Sequence, residues 1–363
     1  MKISKLQISA PGRICLFGEH QDYLSLPVIT AAINLRIYVS GVKRNDKIFK
    51  FEMPDLNESD EFPIEHELKY NKERDYLRSA VNILLRQGVV IPCGYDCEIR
   101  GDIPINSGTS SSSAMIVAWI KFLLTIAKDY RRDNPLEIAR LAHQAEVLEF
   151  AEPGGKMDHF ATSIGGVLFI DFDNNIKIKQ LQTNLGQFVL GDSLEAKDTK
   201  GILSRVKGGV QGLLHQINEQ KKEFDLKKCQ WHDIERKFKD IPHDKKLLLQ
   251  GTIENRDLTT KALSEFENNT LTREKLGDML FYGHQILKDK LKISTSKLDL
   301  MIAASKKAGA CGGKLNGSGG GGCMFAYTPE NAEEVVSAIK QAGGKSYIVE
   351  IDSGVKTDFI VYG

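Results

Sequence analysis

Pro104-Ile105-Asn106-Ser107-Gly108-Thr109-Ser110-Ser111-Ser112-Ser113-Ala114 leads straight into an apolar run that begins at Met115. The first stretch is small and turn-forming, and Met115 to Ala127 reads as a buried helix, so the pair is a loop feeding a helix. Such a junction favours an anion. Small residues let backbone amides approach, the first helical amides lack partners, and the helix dipole attracts negative charge. Phosphate is the guest implied, and the hydroxyl of Ser111 or Ser112 is available to a magnesium ion, which prefers oxygen ligands. A serine-rich helix cap is the alternative reading. The Gly-Lys-Ser/Thr ending of a Walker loop is missing, which excludes that motif.

Outward from this junction, strands and helices mix. Leu6 to Ser9, Val28 to Val39 and Tyr95 to Arg100 are β-rich or alternating runs bounded by turn residues. Asp75 to Arg86 and Pro135 to Phe150 carry helical spacing. A strand-like run from Gly165 ends in Asp171-Phe172-Asp173-Asn174-Asn175, a turn-forming cluster where composition changes. A domain boundary shortly after it gives a first domain over 1–185 and a second over 186–363. The second begins with helical spacing over 201–290 and returns to strands at Cys323 to Tyr327, Ser346 to Ile351 and Phe359 to Tyr362. No repeat of 20 to 50 residues is evident, which disfavours solenoids and propellers.

Three further segments carry chemistry. Gly312-Gly313-Lys314-Leu315-Asn316-Gly317-Ser318-Gly319-Gly320-Gly321-Gly322-Cys323 sits between a helix-like stretch, Lys297 to Lys307, and a strand. Four consecutive glycines lose much backbone entropy on ordering, so close approach or motion is required there. Pro11-Gly12-Arg13-Ile14-Cys15-Leu16-Phe17-Gly18-Glu19-His20-Gln21-Asp22-Tyr23 gathers side chains able to grip several hydroxyls around one glycine turn. Taken singly, Glu19 and Asp22 also read as solvated turn carboxylates, and His20 as a structural histidine. Finally, Glu146 precedes Pro153-Gly154-Gly155-Lys156-Met157-Asp158-His159-Phe160, where a carboxylate after a glycine turn suits a general base and Glu146 can face the same cavity. A surface turn is the alternative for Asp158.

The chain has 363 residues, enough for two domains sharing a cleft, with 41% hydrophobic and 27% charged residues, the balance of a globular protein. Lys plus Arg total 49 against 48 Asp plus Glu, so no global field favours nucleic acid or anionic lipid, and phosphate affinity has to be local. The six cysteines are scattered without a zinc-like pair of pairs and read as reduced thiols. Met1 to Ile8 alternates like a strand and not like a secretion signal. The run from Met115 to Ala127 contains Lys121 and falls short of the ~20 apolar residues that a bilayer span needs. A cytoplasmic location without membrane or nucleic-acid partners is the expectation.

In this order, the four segments resemble the GHMP kinases, the superfamily of galactokinase, homoserine kinase, mevalonate kinase and phosphomevalonate kinase. Gly18-Glu19-His20-Gln21-Asp22-Tyr23 looks like the galactokinase signature with Gln21 replacing Thr, and His284 to Gly322 also looks galactokinase-like. The resemblance implies an α+β, two-domain fold: an N-terminal domain of mixed sheet and helices, a C-terminal ferredoxin-like domain, and the active site between them. It implies magnesium and ATP phosphorylating a sugar-like hydroxyl, the anomeric one in the galactokinase case, by a monomer or homodimer. Asp158 would accept the hydroxyl proton and Arg13 would stabilise it and the developing phosphoryl charge. Gly108, Thr109, Ser110, Ser111 and Ser112, with Gly317 and Gly319 of the late loop, would hold ATP. Ser111 and Glu146 would be magnesium ligands, and Glu19, His20, Asp22 and Gly155 would bind the acceptor.

Departures bear on the acceptor. Thr109 replaces the common Leu, the serine run is one residue longer, and Gly191 to Lys200 lacks the tyrosine that galactokinases place near the sugar. A modified hexose, uronic acid or heptose derivative fits these changes, with Lys197 or Lys200 available to an acidic or phosphorylated group. Leu16 to His20 and Pro27 to Ile33 also suit a mevalonate-type kinase, and a non-catalytic sugar and ATP sensor is the third reading.

Overall fold

The computed structural model describes residues 3–105, 108–173, 175–220, 225–237 and 242–363; Asn106 and Ser107 of the serine loop, Asn174 of the acidic turn, Met1 and Lys2 lie outside them. The first strand, β1 (Ile3–Phe17), runs well past the Leu6 to Ser9 stretch expected from the sequence. Pro11 and Gly12 argue for a break. The strand instead shifts register between them against β2 (Val28–Lys43), the kind of irregularity at which a strand tolerates proline.

The hairpin β3 (Ile48–Met53) and β4 (Glu58–Pro63) leads to α1 (Tyr76–Arg86), and β5 (Tyr95–Gly101) follows. The Asp75 carboxylate accepts the Arg78 amide and caps α1. Helix α2 (Ser111–Ala127) is apolar on nearly every face, and it is accordingly buried against β1 and β2. Its single charge, Lys121, donates to Arg132 O at 2.8 Å and meets the Asp133 carboxylate at 3.3 Å.

Helix α3 (Pro135–His143) opens with Pro135 at its first position and Asn134 capping the Leu136 and Glu137 amides. The sequence predicts continuous helix to Phe150. The helix instead widens into a π-turn over Gln144–Leu148, which carries Glu146. Helix α4 (Met157–Ile164), β6 (Val167–Asp171) and β7 (Lys177–Gln180) complete this half.

The second half runs β8 (Phe188–Asp192), α5 (Thr199–Gln220), α6 (Trp231–Lys237), α7 (His243–Glu267), α8 (Arg273–Asp289), α9 (Ser296–Lys307), β9 (Gly312–Leu315), β10 (Cys323–Tyr327), α10 (Ala332–Gln341) and β11 (Lys345–Val349). Its sheet has the order β11-β8-β10-β9, with every pair antiparallel. Helical segments between β8 and β9 and between β10 and β11 make this the split β-α-β pattern of ferredoxin-like domains.

The last strand departs from the expected 186–363 unit. β12 (Lys356–Tyr362) crosses back and pairs with β1, so the first sheet has the order β12-β1-β2-β5-β3-β4, with β6 against β2. The halves also share one apolar core, in which Ile14, Phe17 and Ile29 pack in the same cluster as Phe188, Leu280 and Phe325. That shared core fixes the cleft walls relative to one another.

Candidate active site

A cavity of about 250 Å³ lies between the two halves, lined from the first by Arg13, Ser110, Ser111 and Asp158 and from the second by Lys197 and Ser318. Asp158 sits in the first turn of α4, where the helix dipole favours a carboxylate. Arg13 on β1 grips it: Nε donates to Asp158 Oδ1 at 2.8 Å, and Nη2 stands 2.8 Å from the same oxygen. The third guanidinium nitrogen, Nη1, donates to Gly108 O in the loop before α2. Burial alone raises the Asp158 carboxyl, yet its charged and hydrogen-bonding neighbours, the Arg13 charge first among them, together outweigh it and hold the group below the usual carboxylate range. Asp158 is therefore ionised at neutral pH, with 31% of its side chain exposed to the cavity against 4% for Arg13.

The loop bends sharply before α2, with Gly108 at φ 86° and Ser110 at φ 64°. Ser111 is half-buried and Ser112 exposed at the cavity wall, beside the helix start. Thr109 faces inward and its carbonyl accepts the Arg13 amide at 3.2 Å. Asn316, fully buried, joins three segments: its Oδ1 accepts from Cys15 N at 2.9 Å, and its Nδ2 donates to Gly108 O at 2.9 Å. Gly317 follows because a Cβ there would stand 2.8 Å from Gly108 O.

Glu146 comes from the π-turn. Its Oε2 accepts from Ser113 Oγ at 2.8 Å and lies 2.7 Å from His159 Nε2. The serine that meets Glu146 is thus Ser113, in the first turn of α2, while Ser111 lines the cavity.

The Glu19, His20 and Asp22 cluster is drawn together, but each member already has a protein partner. Glu19 pairs with Lys314 on β9. His20, at φ 62°, links Tyr23 Oη at 2.7 Å and Ser318 O at 3.0 Å. Since Ser318 O can only accept, Nε2 carries the proton and Nδ1 accepts from Tyr23. Burial pulls the His20 ring down to about 4, so it is neutral at physiological pH. Asp22 accepts Tyr23 N and Met157 N, each at 3.0 Å, and so tethers the start of α4. Burial and the nearby Asp158 charge raise its carboxyl. Gly155 packs flat on that carboxylate, and any Cβ there would overlap it.

Sequence reasoning missed Lys314, Ser113 and His159. A lysine in a glycine-flanked strand gives no sign that its amine is buried, and Ser113 reads as one more residue of a serine run. Glu19 Oε2, His159 Nδ1 and Ser318 Oγ are buried without a hydrogen-bond partner among the described residues, and all three side chains line this one cavity. Orphaned buried polar atoms of this kind mark a place where a polar ligand completes the bonding.

Family profiles match in chain order. The galactokinase galactose-binding signature covers residues 4–43, the GHMP kinases N terminal domain 75–166, and the GHMP kinases C terminal domain 262–345. The mevalonate kinase of Pyrococcus furiosus is 30% identical over 98% of this chain and 99% of its own. The galactokinase of Mannheimia succiniciproducens is 26% identical over 99% of this chain and 93% of its own. Among solved structures, Lactococcus lactis galactokinase complexed with galactose superposes with a TM-score of 0.84 at 23% identity, covering 97% of this chain and 95% of that one. The Methanococcus jannaschii mevalonate kinase gives 0.74 at 20% identity, covering 96% and 99%.

Proposed function

The chain belongs to the GHMP kinases and is a phosphotransferase acting on a sugar or other small alcohol, and we propose that its acceptor is a sugar or sugar derivative phosphorylated by a galactokinase-like route. The observation that carries this reading is the Arg13 to Asp158 pair standing at the mouth of the loop that opens α2. Phosphoryl transfer passes through a loose transition state, so positioning and charge neutralisation are the protein's main tasks. In this reading the amides and hydroxyls of Gly108 to Ser112 hold the triphosphate, with Gly317 and Gly319 of the late loop closing over it. Asp158 orients the acceptor hydroxyl and takes its proton as the phosphoryl group arrives. A carboxylate held this low is a weak base, which suits a transition state in which the proton leaves late. Arg13 keeps Asp158 ionised and in place and faces the charge that develops on the phosphoryl oxygens.

Magnesium fits the same wall. Glu146 and the Ser111 hydroxyl are oxygen donors on one cavity, and among the described residues no cluster of three or more His, Cys, Asp or Glu forms a cage of its own. Mg²⁺ commonly takes one or two protein ligands and fills its octahedron with phosphate oxygens and water. When bound it would neutralise phosphate charge, and Ser113 and His159 hold the Glu146 carboxylate that would receive it.

At the acceptor end, Glu19 Oε2, His20, Asp22 and Gly155 shape a polar pocket suited to hydroxyls. Full-length similarity to the Pyrococcus mevalonate kinase favours a second reading, a mevalonate-type acceptor. ADP release measured over hexoses, uronic acids, heptose phosphates and mevalonate, followed by NMR of the product, separates them. A sugar as the preferred acceptor, with a sugar phosphate formed, is the expected result; release stimulated by mevalonate alone moves the assignment to the second reading. ATP binding without release on any acceptor would favour a sensor.

A further inference from the structure

We propose that Lys197 is a second cation at the transferring phosphate, supplied by the second half of the chain on the side of the cavity facing Arg13. The inference rests on the phosphotransferase reading above. It begins with the glycine run. Beyond β8 the chain stays against the late loop: Ser193 N donates to Gly322 O at 2.9 Å and Gly322 N to Glu195 O at 3.4 Å. Gly321, at φ 112°, lies so close that a Cβ would come within 3.0 Å of the Glu195 and Ala196 carbonyl oxygens. The Glu195 carboxylate is in turn held by Thr295 Oγ1 at 2.5 Å. The glycines thus let the 193–197 segment lie flat on the loop, and that segment delivers Lys197 into the cavity.

There its amine meets the phosphate loop. A Cβ on Gly108 would stand 2.6 Å from Lys197 Nζ, so glycine at 108 is what admits the amine. Gly108 O is also the acceptor of Arg13 Nη1, which sets both cations about the same residue.

The other two cations that line this cavity, Arg13 and Arg74, are already engaged. Arg13 is on Asp158, Arg74 makes a two-point pair with Glu152 at 2.8 and 2.7 Å, and Lys200 pairs with Glu73 at the exposed rim. Lys197 Nζ, half-buried, makes no hydrogen bond or ion pair among the described residues. Burial first, and then the Arg13 charge, bring it down to about 8, which an anion placed between the two cations would reverse. A phosphoryl group in transfer is such an anion, with charge spread over three oxygens that two cations can flank. Position favours it over an anionic group on the acceptor: the Lys197 charge is felt by His20, but Nζ stands directly against Gly108 of the phosphate loop.

Calorimetric binding of ADP and of a non-hydrolysable ATP analogue, both with magnesium, to wild type, Lys197→Met and Lys197→Arg tests this, together with turnover. The expected result for Lys197→Met is ADP affinity within about twofold of wild type, analogue affinity at least about fivefold weaker and turnover at least about tenfold lower, with Lys197→Arg recovering most of each. Unchanged analogue affinity and turnover would overturn the proposal. So would a rise in the acceptor KM alone, which would place Lys197 on an acidic group of the acceptor. Wild type that binds neither nucleotide would instead overturn the phosphotransferase reading on which the proposal stands.

Discussion

Lys314 Nζ and Glu19 Oε1 form an ion pair in which neither side chain is more than 1% exposed, joining β9 to the turn that follows β1. The same amine donates to Cys15 O at 3.1 Å, while Glu19 Oε2, in a side chain that lines the cavity, has no partner among the described residues. Removing one member of a buried pair strands the other charge, at a cost of roughly 3 to 5 kcal/mol. Urea denaturation of Lys314→Met is expected to show a loss of that order. Adding Glu19→Gln to the same chain should recover most of the stability but not acceptor affinity, because the outward oxygen is then neutral. A single variant as stable as wild type would show that the pair does not hold the two halves together.

Gly155 has no room for a side chain, since a Cβ would overlap the Asp22 carboxylate. In Gly155→Ala, Asp22 has to leave the Met157 amide, and the turn that presents Asp158 loosens. We expect the acceptor KM to rise by roughly tenfold or more, the equivalent of ~1 to 3 kcal/mol for a lost hydrogen bond to a buried group, while nucleotide affinity stays within about twofold. An unchanged acceptor KM with weakened nucleotide binding would place this contact on the wrong side of the cavity.

His20 makes stability depend on pH. Its ring titrates at about 4 in the folded chain, against an ordinary value of 6.5, so folding excludes the proton. The stability it contributes is complete above about pH 6.5 and is lost as pH falls through 4, to a limit of ~3 kcal/mol. Burial also pulls His143 down to about 3 and His284 to about 4, so the test is a comparison. Between pH 7 and 4 the unfolding free energy of His20→Gln should fall less than that of wild type. Parallel curves would assign the acid sensitivity elsewhere.

How much of this is legible in the sequence depends on whether the cause is local. Helix α2 is readable because its apolar run has no polar face, and β10 matches the Cys323 to Tyr327 run residue for residue. β1 is misjudged at Pro11, because the register shift that accommodates the proline is made with β2 and leaves no mark in β1 itself. Partners distant in sequence are likewise invisible: nothing in Lys356 to Tyr362 announces that the strand returns to β1. The site follows the same rule. The motifs bring out Arg13, Glu146 and Asp158 and the Glu19, His20 and Asp22 cluster, but not the Lys314, Ser318 and Met157 groups that hold that cluster in place. These partners lie more than a hundred residues away, so only the fold reveals them.

The central claim is that Asp158, held by Arg13, takes the acceptor proton in a direct phosphoryl transfer. Asp158→Asn keeps the shape and removes the charge, so nucleotide affinity and acceptor-dependent ADP release should part. The account predicts nucleotide affinity within about threefold of wild type and release reduced at least about a hundredfold, the contribution of a positioned base. Release at the wild-type rate would contradict it.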